Sequence, residues 1–189
     1  SISATSMAQD RAGYIHTDAA GNVYTTGSFL GPADFEPGPG VTTVTSSFFD
    51  AFISKVDVAG NLVWAKSFGG SNSDGGNAIY YDNDENVLII GNFYAGGDFN
   101  PGTGVTTLTS NGQLDIFISK FDAAGDFLWA KSIGGADFDN GNGIYADNAG
   151  NVFITGSFSG TVDFDPSAGV SNLTSIGQSD IFIAKLDAS

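Results

Sequence analysis

Asn22-Val23-Tyr24-Thr25-Thr26-Gly27-Ser28-Phe29 returns as Asn86-Val87-Leu88-Ile89-Ile90-Gly91-Asn92-Phe93, and again as Asn151-Val152-Phe153-Ile154-Thr155-Gly156-Ser157-Phe158. The copies lie 64 and 65 residues apart. Other strings keep the same phase. Asp50-Ala51-Phe52-Ile53-Ser54-Lys55 recurs from Asp115 and from Asp180, and Trp64-Ala65-Lys66-Ser67-Phe68-Gly69-Gly70 recurs from Trp129 to Gly135. Asp34-Phe35-Glu36-Pro37 recurs as Asp98-Phe99-Asn100-Pro101 and Asp163-Phe164-Asp165-Pro166. Self-similarity at one fixed period is the signature of a repeat architecture. The chain therefore divides into three tandem copies, 1–66, 67–131 and 132–189, the last without its outer strand.

Within a copy the apolar segments are short, β-branched or aromatic, and bounded by turn residues, which predicts strands. In the middle copy they are Ala78 to Asp82, Asn86 to Phe93, Asp115 to Asp122 and Phe127 to Ile133. A fifth, short strand is expected at 106–109, inside the long connector 94–114. Four of the connectors share the pattern Asp-x-x-Gly-Asn or Asp-x-x-Gly-Asp, opening at Asp18, Asp57, Asp122 and Asp147. Asp bonds backbone amides at the head of such a turn, and Gly supplies the residue with positive φ. The fifth turn, Asp82-Asn83-Asp84-Glu85-Asn86, carries Glu85 where Gly is expected, so strain is predicted there.

Four antiparallel strands in a repeat of this size predict an all-β protein of β-propeller-type blades. Stacked blades bury both faces of their middle strands, which accounts for unbroken apolar runs such as Val87 to Ile90. A parallel β-helix is the rival, but its rungs are shorter and lack repeated hairpins.

The strings Asp-x-x-Gly-Asn-Val-Tyr-x-Thr-Gly, Asp-Ile-Phe-Ile-x-Lys-x-Asp and Trp-Ala-Lys-x-x-Gly-Gly resemble the bacterial β-propeller repeat called the SBBP repeat. The resemblance covers nearly the whole chain. It implies a secreted or cell-surface bacterial protein, often of many repeats, from a family without an established activity. The copies here run longer than the usual family repeat because of the Asp-Phe-x-Pro loop.

Composition narrows the function classes. Twenty-one Asp and Glu stand against 6 Lys and Arg, a formal charge of −15 over 189 residues. Such a field repels phosphate backbones and excludes nucleic-acid binding through a basic face. No apolar run approaches the roughly 18 residues of a membrane helix. There is no Cys, so disulfide scaffolds and thiolate metal sites are ruled out. Aromatic residues at 13% supply a core, which excludes disorder. The first residue is Ser, which reads as a piece of a longer chain.

The carboxylates are the obvious candidates for chemistry. Asp137-Phe138-Asp139-Asn140-Gly141-Asn142-Gly143 looks like a calcium loop but lacks the closing acidic ligand. Its copies keep only Asp10, Asp74 and Asp139 in common. Asp34, Asp98, Asp163 and Asp165 in the Asp-Phe-x-Pro loops, with Asp139, form the candidate calcium set, against a plainer reading as turn caps. No other cofactor is implied. His16 is the one His and aligns with Tyr80 and Tyr145, so it reads as a strand aromatic rather than a general base. No Ser-His-Asp or Cys-His set exists, and the expectation is a non-enzyme. Lys55, Lys120, Lys185, Lys66 and Lys131 sit in repeated positions, which argues for structural pairing with neighbouring Asp residues. Trp64 and Trp129 read as outer-strand packing, with sugar stacking as the other reading. Asn172-Leu173-Thr174 is the single N-glycosylation sequon.

The leading expectation is an extracellular or cell-surface structural or adhesive protein; the alternative is a carbohydrate-binding module using the blade loops. The chain is close to three whole 65-residue repeats, and counting back from Ile15 sets Ser1 level with Ala65. Three blades are too few to close a ring, since propellers have about four to eight. Completion by other copies is therefore expected, as a six-bladed homodimeric ring or a head-to-tail polymer.

Overall fold

The structure is a computed structural model that describes residues 3–4 and 10–188. Ser3–Ala4 is β1. The first repeat holds Arg11–Thr17 (β2), Val23–Phe29 (β3), Pro32–Asp34 (β4), Thr43–Thr45 (β5), Asp50–Val56 (β6) and Leu62–Gly70 (β7). The second holds Gly75–Tyr81 (β8), Val87–Asp98 (β9), Thr107–Phe121 (β10) and Phe127–Gly135 (β11). The third holds Asn140–Ala146 (β12), Val152–Phe158 (β13), Thr161–Asp163 (β14), Asn172–Thr174 (β15) and Asp180–Leu186 (β16). Every ladder between these strands is antiparallel.

Each repeat is a meander. β2-β3-β6-β7 make the first blade, β8-β9-β10-β11 the second, and β12-β13-β16 the third. The first strands of successive blades lie beside one another, β2 against β8 and β8 against β12. They are the inner strands. The outer strands β7 and β11 run four residues past the repeat boundaries at 66 and 131, to Gly70 and Gly135.

That overrun has a purpose. Gly69 and Gly70 pair with Asp98 and Gly97 of the next blade, and Gly134 and Gly135 pair with Asp163 and Val162. The end of each outer strand is thereby stitched to the Asp-Phe-x-Pro hairpin that follows it. In the middle copy this hairpin is continuous with the blade: β9 extends to Asp98 and β10 starts at Thr107, so the fifth short strand is part of a longer one. β1 joins β4 in the same manner, with Ser3 opposite Asp34. Ser1 lies outside the described residues, but this register sets Ser3 level with Gly69, 66 residues on. Five residues separate Ala4 from Asp10, against three between Gly70 and Asp74.

The core lies between blades. Tyr24, Ala51, Ile53 and Phe68 of the first blade pack on Ile79, Val87, Ile89, Phe93, Phe99 and Phe117 of the second. Leu88, Ile90, Ile116, Ile118 and Ile133 of the second blade pack on Val152, Ile154, Phe158, Phe164 and Phe182 of the third. Residues of opposite parity on one strand therefore serve different interfaces, the pleat in use on both faces. Each fully buried Leu, Ile or Phe contributes about 1.5–3 kcal/mol. Phe35, Phe99 and Phe164 anchor the three inserted hairpins, at 1%, 0% and 6% exposure.

Candidate functional site

Two ends of the blades differ in character. At one end lie the Asp-x-x-Gly-Asn hairpins. In each, the opening Asp takes the amides two and four residues on, as Asp57 does from Ala59 and Asn61 at 2.9 and 2.8 Å. Gly21, Gly60, Gly125 and Gly150 have φ of 84°, 89°, 79° and 80°, and Glu85 is held at 63° in the same place.

At the other end a cleft of about 660 Å³ opens beside the inner strands, lined among others by Arg11, Asp74, Asn77, Asn92, Tyr94 and Asn142. A bulge interrupts each inner strand at the cleft: at Gly13, Asn77 and Asn142, between Ala12 and Tyr14, Gly76 and Ala78, and Gly141 and Gly143. Bulges re-aim side chains beside functional sites. Asn77 Nδ2 donates to Gly141 O of the next blade at 2.9 Å and to Asn92 Oδ1, while Asn92 Nδ2 donates to Asp139 O at 2.7 Å. Asn142 is exposed into the cleft. These asparagines escaped the sequence reading, which weighed the same loops for calcium. The recurrent Asn three residues after Asp74 and after Asp139 was the signal.

Further along the inner strands His16, Tyr80 and Tyr145 form a column, with ring centroids 5.2 and 4.9 Å apart. Burial first, then the neighbouring Tyr145, raises the Tyr80 hydroxyl above its ordinary pKa. His16 stands in this column as the aromatic of its copy.

The candidate calcium residues sit in separate hairpins. Asp34 Oδ1 accepts from the amides of Glu36 and Thr42 at 3.0 and 2.9 Å. Asp98 Oδ1 does the same for Asn100 and Thr106, and Asp163 Oδ1 for Asp165 and Ser171. Asp165 Oδ1 accepts from the amide of Ser167 at 2.9 Å and from its hydroxyl, and these bonds hold its pKa down. Asp139 Oδ2 takes the Gly135 amide at 2.7 Å and its Oδ1 the Ser159 amide at 3.1 Å. The five carboxylates thus organise loops, and among the described residues no group of three His, Cys, Asp or Glu is placed to hold a metal.

Asp139 belongs to a different set. It is fully buried with Asp115 beside it at the second junction, as Asp74 is buried beside Asp50 at the first. Burial raises all four: Asp74 to about 7, Asp50 and Asp115 to about 6, and Asp139 in the same direction. Asp50 Oδ1 and Asp115 Oδ1 are buried without a hydrogen-bond partner.

Three lysines in the repeated positions make contacts within the fold. Lys120 reaches Asp82 at 3.0 Å in a nearly buried pair, and Lys66 reaches Asp126 of the next blade at 3.4 Å. Lys55 donates to Ala123 O at 3.3 Å and Trp64 Nε1 to the same oxygen at 3.4 Å, so Trp64 lies over the following blade's hairpin. Asn172 of the sequon is exposed on β15, opposite Asp163.

Repeated four-stranded meanders, inner strands gathered side by side and a polar cleft at their end define a protein of β-propeller-type blades. Two relatives match the chain, and the first, by its description as WD repeat-containing, agrees with that class. An uncharacterized WD repeat-containing protein of Acanthamoeba polyphaga mimivirus is 29% identical over 147 residues, 61% of this chain and 10% of the viral protein. The regulatory protein FlaEY of Caulobacter vibrioides is 26% identical over 124 residues, 64% of this chain and 13% of that protein. The chain spans about a tenth of the length of these relatives. No family model matches it.

Proposed function

We propose that this chain is a non-enzymatic structural module, an SBBP-type set of propeller blades that acts at the cell surface or outside the cell by associating with further copies of itself. The observation that carries the reading is the contrast between inner and terminal blade faces. Ile181 and Ile183 are 83% and 79% exposed, whereas their counterparts Ile116 and Ile118 are at 0%. Large apolar side chains left open on a sheet face mark an interaction surface. The likeness to a protein described as WD repeat-containing supports a repeat scaffold. Strong negative charge keeps such an array soluble. Light scattering on the isolated chain tests the proposal. A mass above the 19.4 kDa of one chain at micromolar concentration is expected, and a stable folded monomer overturns it.

A second reading rests on the cleft at the ends of the inner strands. Amide side chains such as Asn77, Asn92 and Asn142, beside Tyr94 and Arg11, suit the hydroxyl groups of a glycan. Micromolar binding on a glycan array, lost on Asn142→Ala, supports this reading; an empty array removes it.

A further inference from the structure

We infer that each of the two internal blade junctions is latched by a single proton held within a buried pair of carboxyl groups, Asp115 with Asp139 at the second junction and Asp50 with Asp74 at the first, so that each junction loosens on its own when that proton is lost. The latch does not depend on self-association.

The two members of a pair are bonded differently. Asp139, at 0% exposure, has both carboxylate oxygens on main-chain amides, Oδ2 on Gly135 at the end of β11 and Oδ1 on Ser159 beyond β13. Its own amide donates to Leu114 O at 2.7 Å. Amide donors on both oxygens favour the ionised form. Asp115, also at 0% exposure, takes the Asn111 amide on Oδ2 at 2.8 Å, while its Oδ1 is buried with no hydrogen-bond partner. The first junction repeats this. Asp74 takes the amides of Gly70 and Tyr94, and Oδ1 of Asp50 is buried without a partner. Both carboxyls lie against one bare main chain there, since a Cβ on Gly69 would stand 2.6 Å from Asp74 Oδ2 and 3.0 Å from Asp50 Oδ1.

No counter-charge faces either pair. Asp115 feels Asp139, Asp139 feels Asp137, and Asp74 feels Asp50, all acidic. Arg11 lines the same cleft as Asp74, yet none of the ion pairs among the described residues includes it or either carboxyl pair. One free oxygen at each junction is far short of the six to eight oxygens that calcium takes. It suffices for a proton, which turns the orphaned acceptor into a donor and removes one of two like charges. Burial pushes Asp115 up to about 6 and Asp74 up to about 7, and the carboxyls of a pair titrate together. A raised carboxyl favours the closed junction fully below its free value near about 4 and ceases to as pH climbs past the folded value. The latches are therefore closed at pH 5 and charged at pH 8.

Hydrogen exchange read by mass spectrometry tests this, with rates expressed as protection against the unfolded chain at each pH. In the wild type, protection of peptides carrying Gly135 and Ser159, and of those carrying Gly70 and Tyr94, is expected to fall about tenfold or more from pH 5 to pH 8. Asp115→Asn keeps the shape and replaces the proton with an amide. It is expected to abolish the fall at Gly135 and Ser159 and to leave it at Gly70 and Tyr94; Asp50→Asn should do the reverse. A fall that survives at Gly135 and Ser159 in Asp115→Asn, or that disappears at both junctions together, overturns the inference. Infrared absorption of the wild type needs no variant: a buried protonated carboxyl is expected at pH 5 and gone by pH 8, and its absence at pH 5 overturns the inference as well.

Discussion

Asp74 reaches back across the first blade junction: its backbone amide donates to Phe49 O at 2.6 Å, while its carboxylate takes the amides of Gly70 and Tyr94 at 2.6 and 3.2 Å. One residue closes the outer strand of one blade onto the next. Its charge is the liability, because Asp50 lies beside it in the same buried place.

Stability therefore depends on pH. A carboxyl whose folded pKa is raised favours the folded state fully below its unfolded value near 4, and that advantage is lost as pH climbs through the folded value. With Asp74 near 7, and Asp50 and Asp115 near 6, stability falls between about pH 4 and pH 7. Below pH 4 the depressed carboxyls of Asp18, Asp57, Asp147 and Asp165 act in the opposite sense. Thermal melts should give a Tm several degrees higher at pH 5 than at pH 8. Asp50→Asn, which keeps the shape and removes one charge, should flatten the slope; an unchanged slope would show that overall charge alone sets it.

Glu85 occupies a left-handed conformation that glycine fills in the other four hairpins. The conformation costs a non-glycine residue about 1–2 kcal/mol, part of which glycine returns through its looser unfolded chain. Glu85→Gly should raise unfolding free energy by about 0.5–1 kcal/mol in urea titration. No gain, or a loss, would mean that Glu85 makes a compensating contact.

Gly91→Ala should be far more damaging. A Cβ at Gly91 would stand 2.1 Å from Gly75 O and 2.7 Å from the Phe117 ring, and Gly27 and Gly156 are as crowded in their copies. Overpacking against rigid backbone costs about 1–3 kcal/mol and at times more. Denaturant unfolding that shows less than about 1 kcal/mol of loss would sink the claim that Gly75 O and the Phe117 ring leave no room for a side chain here.

Calcium provides a negative control. The Oδ1 atoms of Asp34, Asp98 and Asp163, and both carboxylate oxygens of Asp139, already accept backbone amides. Tm in millimolar calcium and in excess chelator should agree within about a degree, since a ligand stabilises only when it binds the folded state. A clear rise with calcium would show that the loops rearrange to bind it.

Much of this fold is written in side-chain pattern. Val87 to Ile90 and Ile116 to Ile118 are apolar on both faces because both faces meet a blade, and the Asp and Gly of each hairpin announce its turn. The strain at Glu85 was legible for the same reason: one copy departs from its siblings. What stayed hidden is carried by backbone. Gly69, Gly70 and Gly97 pair across a junction through amides and carbonyls, and glycine has no side chain to advertise it. The bulges at Asn77 and Asn142 are likewise shifts of register, which shows only when both strands are aligned in space. In the cleft, polar residues were visible but their convergence was not, because Asn77 and Gly141 lie 64 residues apart in sequence.

The glycine stitch between Gly69–Gly70 and Gly97–Asp98 has a bearing on how such a gene can lengthen. Because the join is made by main-chain groups, and the middle copy carries both halves of it, Gly97–Asp98 and Gly134–Gly135, duplicating that whole repeat restores a join on either side of the insertion. No new interface has to be invented by mutation. Solenoid-like arrays gain stability from nearest neighbours alone. An unequal recombination that adds or removes a blade in register therefore yields a chain whose surviving junctions are already competent to fold.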